Sequence, residues 1–352
     1  MPLSRKIWAG LDLGDQYTSI CVIDDAGTIL QQSQCPTRVE CVHAELRWLR
    51  RRRFARIGLE ASTSFSLARG LQSRGYSVDI FETRQLSKFL AIRRNKTDSN
   101  DARGIAEAGR LGGAVLSKVF LKSIECQALQ SRLTLRSQLI RQRVAMQNML
   151  CRQIRQYGGN LKPAKKALQL RSEAEREMRR VFGKVSTPLT SELRYLLQRC
   201  GELMIYQDKL DRELARLART NAICRSFMEI PGIGTICALT FYCAVGEPNR
   251  FRRVADVGPY FGLTPKVSQS GQSVRPGRIS RMGNSAVRSL LSRASLVIMR
   301  SNARQSGLRD WALRIEKRRG RARARVALAR KLAVIMVAMW KSQEEFRPEC
   351  TG

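Results

Sequence analysis

The apolar positions of the first third of the chain fall into short runs separated by turn residues. Residues 7 to 13 (IWAGLDL) are nearly continuous in apolar character, and 17 to 23 (YTSICVI) repeat the pattern, with Gly14 and Asp15 between them. Runs of this length bounded by turn residues predict buried strands. Asp25-Ala26-Gly27 turns into a third strand predicted over Thr28 to Gln32. After a basic stretch from Arg47 to Arg53, Arg56 to Glu60 predicts a fourth strand, Phe65 to Arg74 a helix and Ser77 to Phe81 a fifth strand. A meander followed by alternating helix and strand predicts an α/β layer fold in which strand one lies inside the sheet beside strand four. Asp12 and Glu60 then stand at neighbouring strand ends.

From about residue 119 the period becomes helical. Leu129, Leu133, Ile140 and Val144 form one stripe, and Leu193, Leu196, Cys200, Leu203, Leu210, Leu214 and Leu217 form another. Two long amphipathic helices around a looser Gly158 to Pro163 region predict an antiparallel hairpin or a dimerisation coiled coil, and packing alone explains such a stripe equally well. A third region begins near Asn221 with Ile230-Pro231-Gly232-Ile233-Gly234, runs through a Gly-rich stretch to Gly283, and gives way to basic helices. The expected divisions are 1–118, an α/β domain; 119–220, a helical linker and oligomerisation region; 221–300, a mainly α domain; and 301–352, a basic helical tail.

Charge sharpens this picture. The chain of 352 residues has 64 Lys and Arg against 29 Asp and Glu, a formal net charge of +35, so a polyanion is the first partner to consider. Between Arg300 and Lys331 twelve basic residues face only Asp310 and Glu316. Such a segment repels itself without a polyanion, and it adds salt-sensitive backbone affinity for nucleic acid. No apolar run reaches the roughly 18 residues of a membrane span, and the start lacks a secretory pattern, so a cytoplasmic, nucleoid-associated protein without membrane contact is expected. The ten cysteines are scattered without a Cys-x-x-Cys pair, and His43 is the one imidazole, so they read as reduced packing residues.

Against this basic background four acids stand out: Asp12, Glu60, and the pair Asp98 and Asp101 in Asn95-Lys96-Thr97-Asp98-Ser99-Asn100-Asp101-Ala102-Arg103. The pair is three apart at a predicted helix start, so both can face one side. Clustered carboxylates raise one another's pKa unless a cation neutralises them. Hard divalent cations such as Mg²⁺ do so and organise phosphoryl transfer. Taken singly, Asp98 reads as a helix cap and Asp12 as a turn residue.

Gly10-Leu11-Asp12-Leu13-Gly14, Leu59-Glu60-Ala61, and Lys96-Thr97-Asp98 followed by Asp101-Ala102 resemble the DEDD transposases of the Piv/MooV insertion-sequence family. Ile230 to Gly234, Phe251, Gly262-Leu263-Thr264-Pro265, Ser270-Gly271, Gly277-Arg278-Ile279-Ser280, Gly283-Asn284 and Arg288 carry the resemblance into the second half. It implies an RNase H-like (RuvC-like) N-terminal domain holding Mg²⁺ or Mn²⁺ on Asp12, Glu60, Asp98 and Asp101. It further implies a C-terminal domain whose serine attacks the DNA phosphodiester to form a phosphoserine link. The matching serine is Ser270, with Ser268 a competitor, and Gln272 stands where a second glycine is common. A serine hydroxyl needs a base or metal to activate it. Lys266, Arg275, Arg278 and Arg281 are candidates to clamp phosphate. Gly232 and Gly234 read as a helix-hairpin-helix-like element letting backbone N–H groups approach DNA, or as a plain tight turn. The resemblance also implies a structured noncoding guide RNA and a homo-oligomer, dimer or tetramer. Two other readings stand beside it: a RuvC-type junction resolvase or nuclease using water, and a non-enzymatic nucleic-acid-binding protein.

Overall fold

The computed structural model describes residues 6–51, 55–61, 65–92, 95–112, 116–183, 187–270, 273–300 and 307–346, with main chain alone at residues 51, 268, 270 and 273–276. They form two compact units, Met1–Leu121 and Lys122–Gly352.

The first unit is mixed α/β. Its strands are β1 (Ile7–Leu13), β2 (Tyr17–Ile23), β3 (Ile29–Pro36), β4 (Ala55–Glu60) and β5 (Ser77–Phe81). Its helices are α1 (Val39–Leu46), α2 (Phe65–Ser73), α3 (Thr83–Leu90) and α4 (Asp98–Leu111). The sheet order is β3-β2-β1-β4-β5, with the first three strands antiparallel and β1, β4 and β5 parallel. Strand one therefore lies inside the sheet beside strand four, as its apolar run predicts. The third strand extends four residues beyond the predicted Gln32. It is an edge strand of half-exposed polar residues (QQSQ), which carry no apolar signal to mark its length.

The second unit is mainly helical. Its helices are α5 (Ile124–Gln156), α6 (Ala167–Phe182), α7 (Pro188–Thr220), α8 (Ala222–Met228), α9 (Thr235–Val245), the single turn α10 (Val257–Tyr260), α11 (Ser285–Arg300), α12 (Gly307–Arg319) and α13 (Arg321–Ser342). A two-stranded antiparallel hairpin, β6 (Pro265–Ser270) and β7 (Ser273–Ile279), interrupts them. Sequence periodicity did not predict this hairpin, because polar and charged residues, Pro and Gly dominate both strands.

Helices α5 and α7 run antiparallel, with Arg132 paired to Glu213 and Arg136 to Asp211. Helix α6 packs with them, burying Leu170, Ala174 and Met178 beside Leu150 and Ile154 of α5 and Leu193 and Leu197 of α7. The buried stripe of α7 is Leu193, Leu197, Cys200, Met204, Leu210, Leu214 and Ala218, so Leu196, Leu203 and Leu217 flank it. Val144 of α5 is exposed, and that helix buries Gln147, Leu150, Cys151 and Ile154 instead. Over 33 residues a 3.6-residue period lets several neighbouring stripes look equally apolar, and the packing partner selects one. Helix α13 is amphipathic: Ala324, Leu328, Leu332, Met336 and Val337 enter the same core as Phe227, Phe241 and Leu291.

All nine described cysteines are free, and eight are buried. Burial pushes the thiols of Cys224, Cys237 and Cys243 up to about 12, so they stay protonated and pack as small apolar groups. His43 spends its Nδ1 on the Tyr76 hydroxyl at 2.9 Å.

Candidate active site

Strand alternation decides which way the acids of the first unit point. Ile7, Ala9 and Leu11 of β1 and Ile57 and Leu59 of β4 enter the core beneath α1 and α2. Trp8, Gly10, Asp12, Gly58 and Glu60 consequently face the opposite side, which α4 covers. Parallel pairing ends at Leu11 and Leu59, so Asp12 and Glu60 are the next residues along adjacent strands. Ser19 pairs opposite Asp12 from β2 and is buried.

Helix α4 reaches this face because its seam is made of small residues. A Cβ at Gly10 would stand 2.0 Å from Ala102 O and 2.3 Å from Ala106 N, and one at Gly58 would stand 3.1 Å from the Ile105 side chain. The helix thus lies main chain against main chain on β1, and its first turn, holding Asp98 and Asp101, sits beside the strand end. Thr97 is the N-cap, its hydroxyl accepting from Asn100 N at 3.2 Å. Asp98 is therefore not the cap, and Asp12 is not a turn residue but part of β1, so the plainer readings of both acids fall away. Ser99 of the same turn is anchored by Gln32 of β3.

The electrostatics follow from this placement. The Asp12 carboxyl is raised to about 6, by burial first and then by Asp101, Asp98 and Glu60 in that order, with Lys96 opposing them. All four acids share one electrostatic neighbourhood. Among the described residues no three His, Cys, Asp or Glu side chains approach closely enough to hold one ion together, so the acids meet at electrostatic rather than coordination range. Four carboxylates are nonetheless a donor set of hard oxygens, chemically suited to Mg²⁺ or Mn²⁺.

In the second unit the predicted residues occupy the hairpin and its foot. Ser270 ends β6 and pairs with Ser273 across the tip, while Ser268 pairs with Arg275. The side chains of Ser268, Ser270 and Arg275, and all of Gly271 and Gln272, lie outside the described residues, as do Arg52 and Arg53 of the first basic stretch. Lys266, Arg278 and Arg281 are exposed, and Arg281 adopts a left-handed φ of 56°. Below them the chain crosses itself at two glycines. A Cβ at Gly262 (φ 65°) would stand 2.3 Å from Met282 O, and one at Gly283 (φ 75°) 2.2 Å from Tyr260 O. Arg288 Nη1 donates to Phe261 O (3.1 Å), Met282 O (2.8 Å) and Gly283 O (3.0 Å). Its guanidinium braces the crossing that carries the hairpin.

The glycines between α8 and α9 divide in role. Gly232 (φ 81°) would place a Cβ 2.8 Å from Ala294 O of α11, so packing inside the protein already requires glycine there. Gly234 is the N-cap of α9 with open space where a Cβ would stand, which leaves the backbone there approachable.

The sequence by itself does not reveal the capping role of Thr97, the place of Ser19 opposite Asp12, the seam or the brace. Gly10 and Gly58 inside strands were the available signal for the seam, since a strand glycine marks close backbone approach. Nothing local marks Arg288 as a brace, because its three acceptors are main-chain carbonyls.

Comparison with known proteins gives this arrangement its context. A DEDD transposase profile of the IS110 group matches residues 9–158, and the profile of the transposase IS116/IS110/IS902 family matches residues 224–306. The two matches, in order in one chain, define a transposase, an enzyme class that cleaves and recombines DNA. The chain belongs to the IS116/IS110/IS902 family of insertion-sequence transposases. It is 29% identical over 261 residues to the transposase for insertion sequence element IS1111A of Coxiella burnetii, covering 73% of this chain and 70% of that one. It is 26% identical over 351 residues to a probable family 20 transposase of Pseudomonas aeruginosa, covering 99% and 100%. With the transposase for insertion sequence element IS1328 of Yersinia enterocolitica it shares 27% over 271 residues, covering 76% and 78%. Among the described residues no helix is long and apolar enough to cross a membrane.

Proposed function

We propose that the chain joins and exchanges DNA strands through a phosphoserine intermediate, with Asp12, Glu60, Asp98 and Asp101 holding divalent metal in an RuvC-like domain. The observation that carries the metal half is the Asp12 carboxyl, raised to about 6 where three other acids converge on it at a strand end. Such a cluster is destabilising unless a cation joins it. When bound, Mg²⁺ or Mn²⁺ would neutralise charge on the phosphoryl oxygens and polarise the attacking or leaving oxygen. The order β3-β2-β1-β4-β5 with α4 across it is compatible with an RuvC-like sheet.

The serine half rests on the family resemblance and on the place of Ser270 at the tip of a hairpin flanked by exposed Lys266 and Arg278. Ser270 Oγ attacks phosphorus, losing its proton to a general base. The bond to one bridging oxygen breaks, and that strand end leaves as the alcohol. Attack by the hydroxyl of an incoming end then releases the serine. Lys266, Arg275, Arg278 and Arg281 hold the nonbridging oxygens and the backbone on either side. A homo-oligomer and a structured noncoding RNA that reads sequence by base pairing belong to the same proposal, supported by the resemblance and by a net charge of +35.

The test incubates the full-length protein with the RNA transcribed from its own element, Mg²⁺ and a nicked trapping substrate. Denaturation-resistant protein–DNA adducts are then scored. The wild type and Ser268→Ala should form the adduct, and Ser270→Ala should not. Strand cleavage without adduct in Ser270→Ala and wild type alike would replace the serine by water.

A further inference from the structure

A cleft of about 300 Å³ opens between α11, α13 and the foot of the β6–β7 hairpin. Three guanidinium side chains line it, from Arg281, Arg288 and Arg325, and no carboxylate does. Ser285, Ser289 and Ser292 also line it; their spacing of four and three puts all three hydroxyls on one face of α11. The cations are not all occupied. Arg288 is committed to its three carbonyls, but Arg325 Nε is buried and donates to no acceptor among the described residues. A buried N–H without a partner is an unfavourable state that a bound acceptor relieves. Burial and the neighbouring Arg281 both lower the pKa of Arg288, the mark of positive charges crowded without a counter-ion.

The remaining wall is apolar, from Leu263, Ile279, Val326 and Ala329. A cleft with guanidinium and hydroxyl donors on one side and aliphatic carbon on the other matches a nucleotide, which joins a phosphate to a largely apolar sugar face. Free phosphate would leave the aliphatic wall without a partner, and a peptide carboxylate would leave the serine row unused. We propose that this cleft seats one nucleotide of the DNA strand. Its phosphate lies among Arg281, Arg325 and the α11 hydroxyls, and its deoxyribose against Val326 and Ala329. DNA is favoured over RNA because Ile279 ends β7 and Arg281 follows two residues on, at the foot of the hairpin that presents Ser270. The inference thus rests on the strand-exchange reading and gives it a subsite that fixes the strand beside the hairpin.

The experiment measures binding of a fluorescent 12-nucleotide single-stranded DNA to the full-length protein by anisotropy across a salt series. Arg325→Gln is expected to weaken binding by about tenfold and to lower the slope of log affinity against log salt by about one. Arg323→Gln removes the same charge from an exposed position of α13 and should change affinity by less than about twofold. Ser289→Leu, which fills the cleft without altering charge, should weaken binding comparably to Arg325→Gln, with the thermal midpoint recorded for each variant. Equal losses in Arg323→Gln and Arg325→Gln would mean diffuse electrostatics and overturn the site. So would a Ser289→Leu variant that is folded and binds as wild type. A selective loss seen with the matching RNA but not with DNA would overturn the assignment to DNA. Binding is read without cleavage, so absence of a serine adduct in wild type would sink the strand-exchange chemistry and leave the binding result standing.

Discussion

In the α/β unit Asp12 and Glu60 stand on strand ends, with Asp98 and Asp101 on the helix α4 pressed main chain to main chain against them, whereas in the helical unit Ser270 and its basic neighbours stand on and beside a two-stranded hairpin whose foot is gripped by Arg288. The first arrangement allows almost no adjustment, because Gly10 has 2.0 Å between its absent Cβ and Ala102 O. The second keeps its rigid part below the hairpin, at the Gly262 and Gly283 crossing, and leaves Lys266 and Arg278 in solvent. A core thus fixes the acids within electrostatic range of one another. Under the proposed function, groups that follow a DNA backbone need exposure, and a hairpin supplies that.

Substitutions should separate the two regimes. The largest effect is expected of Gly10→Val, which overpacks the seam. It should cost about 3 kcal/mol or more, lower the thermal midpoint of the α/β unit, and abolish DNA cleavage. A folded, active variant would break the account of the seam.

Asp12→Asn should instead divorce activity from stability. Strand cleavage should fall on the order of a hundredfold to a thousandfold, while the metal-free protein gains stability. The sign follows from the raised carboxyl. Between its ordinary 3.8 and about 6 the folded chain holds a proton that the unfolded chain has released, so stability declines as pH rises through that window. Urea midpoints in chelator at pH 4.5 and 6.5 should differ less in Asp12→Asn than in wild type, and added Mg²⁺ should raise the wild-type midpoint at pH 6.5 alone.

Arg288→Lys should be intermediate. A lysine keeps the charge, but all three bonds leave Nη1 at the far end of the arginine side chain, and the shorter lysine does not carry its ammonium to that point. Loss of those bonds should cost about 1–3 kcal/mol and accelerate amide exchange at Phe261 to Gly283 with no change in the α/β unit. Lys266→Ala and Arg278→Ala should be mildest: unchanged thermal midpoints, and a salt slope reduced by about one each.

What could be read from the sequence follows the same divide. β1, β2, β4 and β5 fall within a residue of prediction because their apolar runs are buried on the sheet, and Asp12, Glu60, Asp98 and Asp101 stood out because acids are scarce in a chain of net charge +35. The face shared by Asp12 and Glu60 was recoverable from strand alternation. That Asp12 and Glu60 end neighbouring strands was legible too, but the approach of Asp98 and Asp101 was not, because it depends on Ala102 and Ala106 meeting Gly10 from a helix some ninety residues away. In the helical unit the motif residues were visible, but the hairpin was not. Polar strands lack an alternating apolar signal, and the α7 stripe was displaced by a residue at Leu197 and Met204 because its partners α5 and α6 select the face.

The buried thiols make the molecule its own clock for opening. Cys21 and Cys35 lie inside the first unit, and Cys126, Cys151, Cys200, Cys224, Cys237 and Cys243 inside the second, while Cys41 alone among the described cysteines is half-buried. A thiol that stays protonated and shielded reacts with a disulfide reagent only when its surroundings part. Mass spectrometry of peptides labelled over time would therefore time the breathing of each unit separately in a single untouched sample, with Cys41 marking the start.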